Sequence, residues 1–263
     1  MTPPRQLSRR KPRKPPRQEP RQPPNQPLRP ARLSGPDLLV PAYFHPAVAD
    51  EQWERLADPG QPLRLVVINV NSGPGEVVDP SYLPVVAALH TAGVRLAGYV
   101  DSDYGRRPLA DVAAEVRAYQ RRYHVSGLFL DQVSAGFDDL DLYAQYVVTA
   151  RSAGASFVVL NPGTHPHPGY VDLANITVTF EGTWADYQQL TVPDWAYRKP
   201  ARRLAHLVHS MPADAFDATL ALASRRNVGT VFLTDGRGAN PWDHYPAALT
   251  AAMAPLAAAV PAP

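Results

Sequence analysis

The chain has 263 residues, 45% of them hydrophobic, which suits one large domain or two small ones with a substantial core. It contains no cysteine, so disulfides and thiolate metal sites are excluded, while the compartment stays open. The net charge of +2 hides an asymmetry: the first 36 residues carry ten Lys/Arg against the single acid Glu19, which leaves −7 on the remainder.

Residues 1–36 also hold eleven of the 30 prolines and almost no large apolar side chain. Such a segment cannot bury enough surface to offset chain entropy, so a disordered, partly polyproline-like tail is expected. No apolar stretch follows its charges, so no secretory signal is recognisable and the sequence by itself reads as cytoplasmic. The tail is either a solvated extension or an electrostatic contact to a polyanion: nucleic acid, acidic polymer or anionic membrane. No segment is long and apolar enough to span a membrane.

From Leu38 onward, short apolar runs alternate with helical patterns. The runs Leu38–Tyr43, Leu65–Asn69, Val94–Val100, Gly127–Leu130, Ser156–Leu160, Ile176–Phe180, Leu204–Val208 and Thr230–Leu233 predict eight strands. Several are nearly continuous and rich in β-branched residues, as strands covered on both faces should be. Pro108–Tyr123 predicts a helix with Leu109, Val112, Ala113, Val116, Tyr119 and Tyr123 on one stripe and Pro108 in its first turn. Asp138–Ala153 and Pro212–Arg226 read the same way, and the Ala-rich end reads as a last helix broken by Pro255 and Pro261. Gly93, Gly154 and Gly229 each sit where a left-handed helix cap is expected. Eight alternations within residues 37–260 predict an α/β fold, a (β/α)8 TIM barrel. An open doubly wound sheet is the second choice. "YFHPAVAD" after the first strand lacks a Gly-rich fingerprint, and "GPG" at 73–75 lacks the lysine of a P-loop.

In such a barrel the chemistry sits at the C-terminal ends of the strands. Those ends offer Tyr43 and His45, then Asn69, Asn71 and Ser72, then Tyr99, Asp101, Asp103 and Tyr104. Asp131 and Gln132, Asn161, Glu181 and Trp184, His209 and Ser210, and Thr234 and Asp235 follow. Acids, amides and aromatic rings together suit a sugar: rings such as Tyr43, Tyr104 and Trp184 stack on its apolar face. His45, Asn69, Asn71, Asp101, Asp103, Gln132, Asn161 and Asp235 would hydrogen-bond its hydroxyls. Asp131 and Glu181, two strands apart, would face each other across about 5–10 Å, a range that covers both retaining and inverting glycoside hydrolysis. Asp131 alone reads equally well as a helix N-cap or Asx-turn. Glu181 is harder to dismiss, because an acid capping an apolar strand is costly without a wet site or a partner. Asp101 and Asp103 read as substrate-binding or structural. His165 and His167 in "NPGTHPHPG" have a metal-binding spacing but no third ligand nearby, so a loop is preferred. No G-x-S-x-G elbow marks a serine hydrolase. The −7 charge disfavours nucleic-acid binding by the folded part.

"PAYFHP", "VVINVNSGPG", "LAGYVDSDYGRR", "YHVSGLFLDQVS", "VVLNPGT" and "TVTFEGTW" occur in this order at the predicted strand ends. Together they resemble spherulation-specific family 4, well from Leu38 to Trp195 and weakly beyond. The resemblance implies a glycoside-hydrolase-type (β/α)8 barrel that cuts galactosamine-containing polymers, similar to endo-α-1,4-galactosaminidases. It implies an extracellular carbohydrate polymer as substrate and no metal or organic cofactor. It implies Asp131 as nucleophile and Glu181 as general acid/base. Where the family has a second acid after strand four, this chain has Gln132. Two expectations follow: a hydrolase working with Asp131 and Glu181 alone, or a glycan-binding barrel that has lost catalysis. A third, of a different class, is an interaction protein whose basic tail docks on a polyanion.

Overall fold

The computed structural model describes residues 35–258 except 59, with side chains described as far as Met253. The basic tail expected over 1–36 therefore lies almost wholly outside the described residues. Eight strands form in chain order: β1 (Asp37–Ala42), β2 (Leu63–Ile68), β3 (Leu96–Asp101), β4 (Gly127–Asp131), β5 (Phe157–Leu160), β6 (Ile176–Thr183), β7 (Leu204–His209) and β8 (Thr230–Leu233). Each pairs in parallel with the next, and β1 closes on β8 through Asp37–Thr230 and Leu38–Val231. The sheet is a closed (β/α)8 barrel, and closure excludes the open doubly wound alternative.

Helices alternate with the strands: α1 (Asp50–Ala57), α2 (Tyr82–Thr91), α3 (Leu109–Tyr123), α4 (Leu140–Ser152), α5 (Gly169–Leu173), α6 (Trp184–Gln189), α7 (Phe216–Arg225) and α8 (Ala247–Ala258). The stripe on α3 is buried as its spacing requires: Val112, Ala113, Val116, Tyr119 and Tyr123 are all removed from solvent. Tyr119 lies against Gly98 of β3, where a Cβ would come within 2.3 Å of its ring. Its hydroxyl donates to the carbonyl of Ile68 in β2 (3.2 Å), which ties the helix to two strands.

The structure departs from the sequence reading at several element ends. Pro108 is the cap before α3 and not part of its first turn. α8 runs past Pro255, giving up the one backbone bond that proline cannot donate. Gly93 and Gly154 do follow helices with φ of 70° and 107°. After α7, however, the left-handed residue is Asn227 (φ 59°), whose side-chain amide satisfies the carbonyls of Ala196 and Lys199 at 2.8 Å each. Gly229 serves close approach, since a Cβ there would lie 2.6 Å from the carbonyl oxygen of Ala201. β4 includes Asp131 and β6 includes Glu181, so both acids stand on strands and not in the loops after them.

Candidate active site

A single amide joins the two acids. Asn161, directly after β5 and buried at 5% exposure, sits between β4 and β6. Its Nδ2 donates to Asp131 Oδ1 at 2.7 Å and to Glu181 Oε2 at 2.6 Å. Those two oxygens are thus no further apart than the two bonds laid end to end, about 5.3 Å. The amide cannot be turned over without loss, because Asn161 Oδ1 accepts the Gly163 N–H at 3.0 Å. Nitrogen therefore faces the acids, and one planar group supplies a hydrogen to each.

Neutral donors complete the shell. Tyr99 Oη donates to Asp131 Oδ2 at 2.9 Å, and the Gln132 backbone N–H adds a third bond to the same carboxylate. The Trp242 indole N–H donates to Glu181. Tyr43 packs edge-on to Tyr99 with ring centroids 5.6 Å apart, and its acidity is suppressed first by burial and then by the charge of Asp131. No arginine or lysine bonds to either carboxylate among the described residues, so burial dominates their protonation. It pushes Asp131 above the usual carboxylate range and Glu181 to about 7, where the nearby Asp131 charge adds to the rise and the Asn161 bond opposes it. Glu181 is then a proton donor near neutrality. Asp131, with more donors to its charged form, ionises first.

The end of β4 is held by a relay of hydroxyls. Ser134 N–H donates to Tyr143 Oη (2.9 Å), which sits 2.9 Å from Ser102 Oγ, and Ser102 Oγ donates to the carbonyl of Gln132 (2.8 Å). This relay holds Gln132 at φ 51°, a left-handed conformation that costs a non-glycine residue about 1–2 kcal/mol. Five of the seven described non-glycine residues with such φ lie just after strands at this end: Ser72, Asp103, Tyr104, Gln132 and Ser210. Asp131 is not a helix cap; that position before α4 belongs to Asp139.

Of the residues the strand ends offered, Tyr43, Tyr99, Asp131, Asn161 and Glu181 come together. Others are engaged elsewhere. His45 Nε2 bonds Asp79 at 2.8 Å, and Asn69 Oδ1 accepts the Gly73 N–H at 3.0 Å, so both shape the β2–α2 loop. Asn71 lines a separate groove of about 460 Å³ with Glu115 and Arg122. Asp101 is paired with Arg107 at 3.4 Å, and Arg107 also grips Glu115 at 2.6 Å. Asp103 is paired with Arg106 on the surface. Tyr104 is exposed, Trp184 opens α6 and packs on the core, and Asp235 bonds His244 at 2.8 Å. His165 and His167 have different neighbours, Trp195 with His206 and Phe137 respectively, and no cluster among the described residues is placed to hold a metal. Trp242 went unseen in the sequence: it lies nine residues beyond β8, with no local pattern pointing back to Glu181.

Known proteins are similar to this chain in sequence or in fold. The model of spherulation-specific family 4 matches residues 37–256, and the chain belongs to that family. Spherulin-4 of Physarum polycephalum is 30% identical over 211 residues, 76% of this chain, and the match spans 63% of that relative's length. Among solved structures, Sph3 of Aspergillus clavatus in complex with GalNAc is 25% identical with a TM-score of 0.73, covering 85% of this chain and 98% of that one. A chitinase from Chromobacterium violaceum shares the fold at 11% identity and a TM-score of 0.56, covering 86% and 100%.

Proposed function

We propose that this barrel is a glycoside hydrolase acting on an amino-sugar polysaccharide, similar to an endo-α-1,4-galactosaminidase. The observation that carries the reading is the Asn161 amide shared by Asp131 and Glu181. It keeps their facing oxygens no more than about 5.3 Å apart, short of the separation of about 6.5–9.5 Å that inverting enzymes use. Glu181, protonated up to about pH 7, gives its proton to the leaving glycosidic oxygen. Asp131 attacks the anomeric carbon, so that a glycosyl–aspartyl ester forms as the glycosidic bond breaks. Glu181, now ionised, takes a proton from water; the water oxygen displaces Asp131 and restores both groups. Tyr99, on Oδ2, and Asn161, on Oδ1, fix the orientation of the Asp131 carboxylate beside the sugar. The amino-sugar preference draws on the likeness to Sph3, solved with GalNAc. No step calls for a metal or an organic cofactor.

Gln132 favours a second reading, a glycan-binding barrel without turnover, because an amide stands where the family places an acid. Reducing-end release from galactosamine, N-acetylgalactosamine and N-acetylglucosamine polymers separates the two. Wild type should cleave, and Asp131→Asn should lose about 10⁴-fold in kcat while still being retarded in a polymer-containing gel. A silent wild type with an active Gln132→Glu would establish the binding reading instead.

A further inference from the structure

Two loops leave the carboxylate pair side by side. The β4–α4 loop starts at Gln132, directly after Asp131, and the β5–α5 loop starts at Asn161, which bonds both acids. They are cross-linked like rails: Val133 N–H donates to the Asn161 carbonyl (3.1 Å), and His167 N–H donates to the Ala135 carbonyl (2.9 Å). The first loop is pinned further by Ser134 Oγ on the carbonyl of Tyr104 (3.3 Å) and by Tyr170 Oη on the carbonyl of Gly136 (3.0 Å). At the far end of the rails two rings meet. Phe137 and His167 pack edge-to-face with centroids 4.9 Å apart. His167 Nδ1 accepts the Gly169 N–H at 3.3 Å, which fixes that ring.

Phe137 is nevertheless 66% exposed. A phenyl ring held on a fixed loop, supported on one side and open on the other, gains nothing for the fold from its open face. Single exposed apolar residues are common on proteins. This one differs in being buttressed, aromatic and joined through two bonded loops to the acids. Phe137 stands six positions after Asp131, so at most about 20 Å of chain lies between them, within reach of a polymer seated at the pair.

We infer that Phe137, backed by His167, is a stacking platform for a sugar of the polymer other than the one held between Asp131 and Glu181. The cleft then runs from the acid pair along the β4–α4 and β5–α5 loops, and chain length is read there. A pyranose presents an apolar C–H face, and a rigid ring binds such a face at little cost in side-chain order. The inference rests on the reading of the acid pair as a sugar-handling site.

The test is Phe137→Ala and Phe137→Trp, assayed on the polymer that wild type cleaves and on a size series of its oligosaccharides. Phe137→Ala should raise KM on the long polymer about three- to tenfold with kcat unchanged, leave the shortest cleaved oligosaccharide unaffected, and keep its Tm. Phe137→Trp should restore the wild-type KM. An unchanged KM on the polymer, or an equal rise on every chain length, overturns the platform. If wild type releases no reducing ends, the hydrolase reading fails and the platform is tested by retardation in gels containing each polymer. Retardation weakened by Phe137→Ala and recovered by Phe137→Trp supports it. Retardation unchanged by the substitution, or absent from wild type, overturns it.

Discussion

Asp101 on β3 and Asp131 on β4 are register partners at the ends of adjoining strands, yet their surroundings differ in kind. Asp101 meets a guanidinium: Arg107 reaches its carboxylate at 3.4 Å and its carbonyl at 3.1 Å. Asp131 meets only neutral donors, the hydroxyl of Tyr99, the amide of Asn161 and the N–H of Gln132. An acid matched by a cation is spent on structure. An acid held by neutral hydrogen bonds keeps a charge that a substrate can use, at the cost of desolvation. The same contrast separates the β1–β2 rim, where His45 and Asn69 brace loops, from the β4–β6 sector, where Asn161 serves both acids at once.

Asn161→Ala should break this contrast most severely. It removes the donor common to both acids and leaves two buried carboxyls facing each other without a mediator. Glu181 and Asp131 both lose an interaction that favours their charged forms, so both bind protons more tightly. The expected loss in kcat is about 10²–10³-fold, the scale of one preorganised donor, and the acidic limb of the pH–rate profile should move to higher pH. A loss below tenfold with an unmoved limb would show that the bridge is incidental.

Glu181→Gln sharpens the comparison through stability. The folded pKa of Glu181 is about 7 against an ordinary value of 4.5, so between these the folded protein holds a proton that the unfolded chain has lost. Across that window stability falls as pH rises, and above about 7 the loss is complete. A shift of this size corresponds to about 3 kcal/mol. The amide of the variant does not ionise. Urea unfolding should therefore show it gaining about that much over wild type between roughly pH 4 and pH 8, while activity disappears. Parallel stability curves for the two proteins would place the ionisation elsewhere.

Much of this site is legible in the sequence. Asp131, Asn161 and Glu181 each end a short apolar run, and in a closed parallel barrel such positions converge on one mouth. The order of the strands then places Asn161 between the two acids. What the sequence does not disclose is the use to which similar residues are put. Asp101 and Asp131 look alike along the chain, and only the path of Arg107 back from the start of α3 separates them. Asn69 and His45 sit at strand ends as the pattern demands, but their partners, Gly73 and Asp79, lie in a loop with no period to read. Trp242 and the Phe137–His167 pair are likewise brought in by long loops, where backbone bonding and not side-chain spacing decides position.

Trp242→Phe should produce a smaller, directional change. Phenylalanine can keep the packing against His209 and Phe232, whose rings lie 5.7 and 5.9 Å from the indole, but cannot donate to Glu181. That donor lowers the Glu181 pKa, so its removal raises it. The basic limb of kcat/KM should move up by about half to one pH unit, the equivalent of one hydrogen bond of about 1 kcal/mol. A limb that stays in place would mean that Trp242 serves packing alone.

The smallest effects come from the neighbouring acids, and they test whether cations do quench them. Asp103 is half-exposed, and its ion-pair partner Arg106 is more exposed still. Surface pairs of this kind contribute little, so Asp103→Ala should leave kcat/KM within about twofold of wild type. Asp101→Asn reaches the site only through space. The Asp101 charge helps to raise Asp131, so its removal lets Asp131 ionise more readily, and the acidic limb should move down by less than about half a unit. Arg107 keeps Glu115 as a partner in that variant, so the start of α3 stays anchored. A large loss of kcat in Asp101→Asn, with its Tm unchanged, would make Asp101 a substrate contact and would dissolve the distinction between the two strand-end acids.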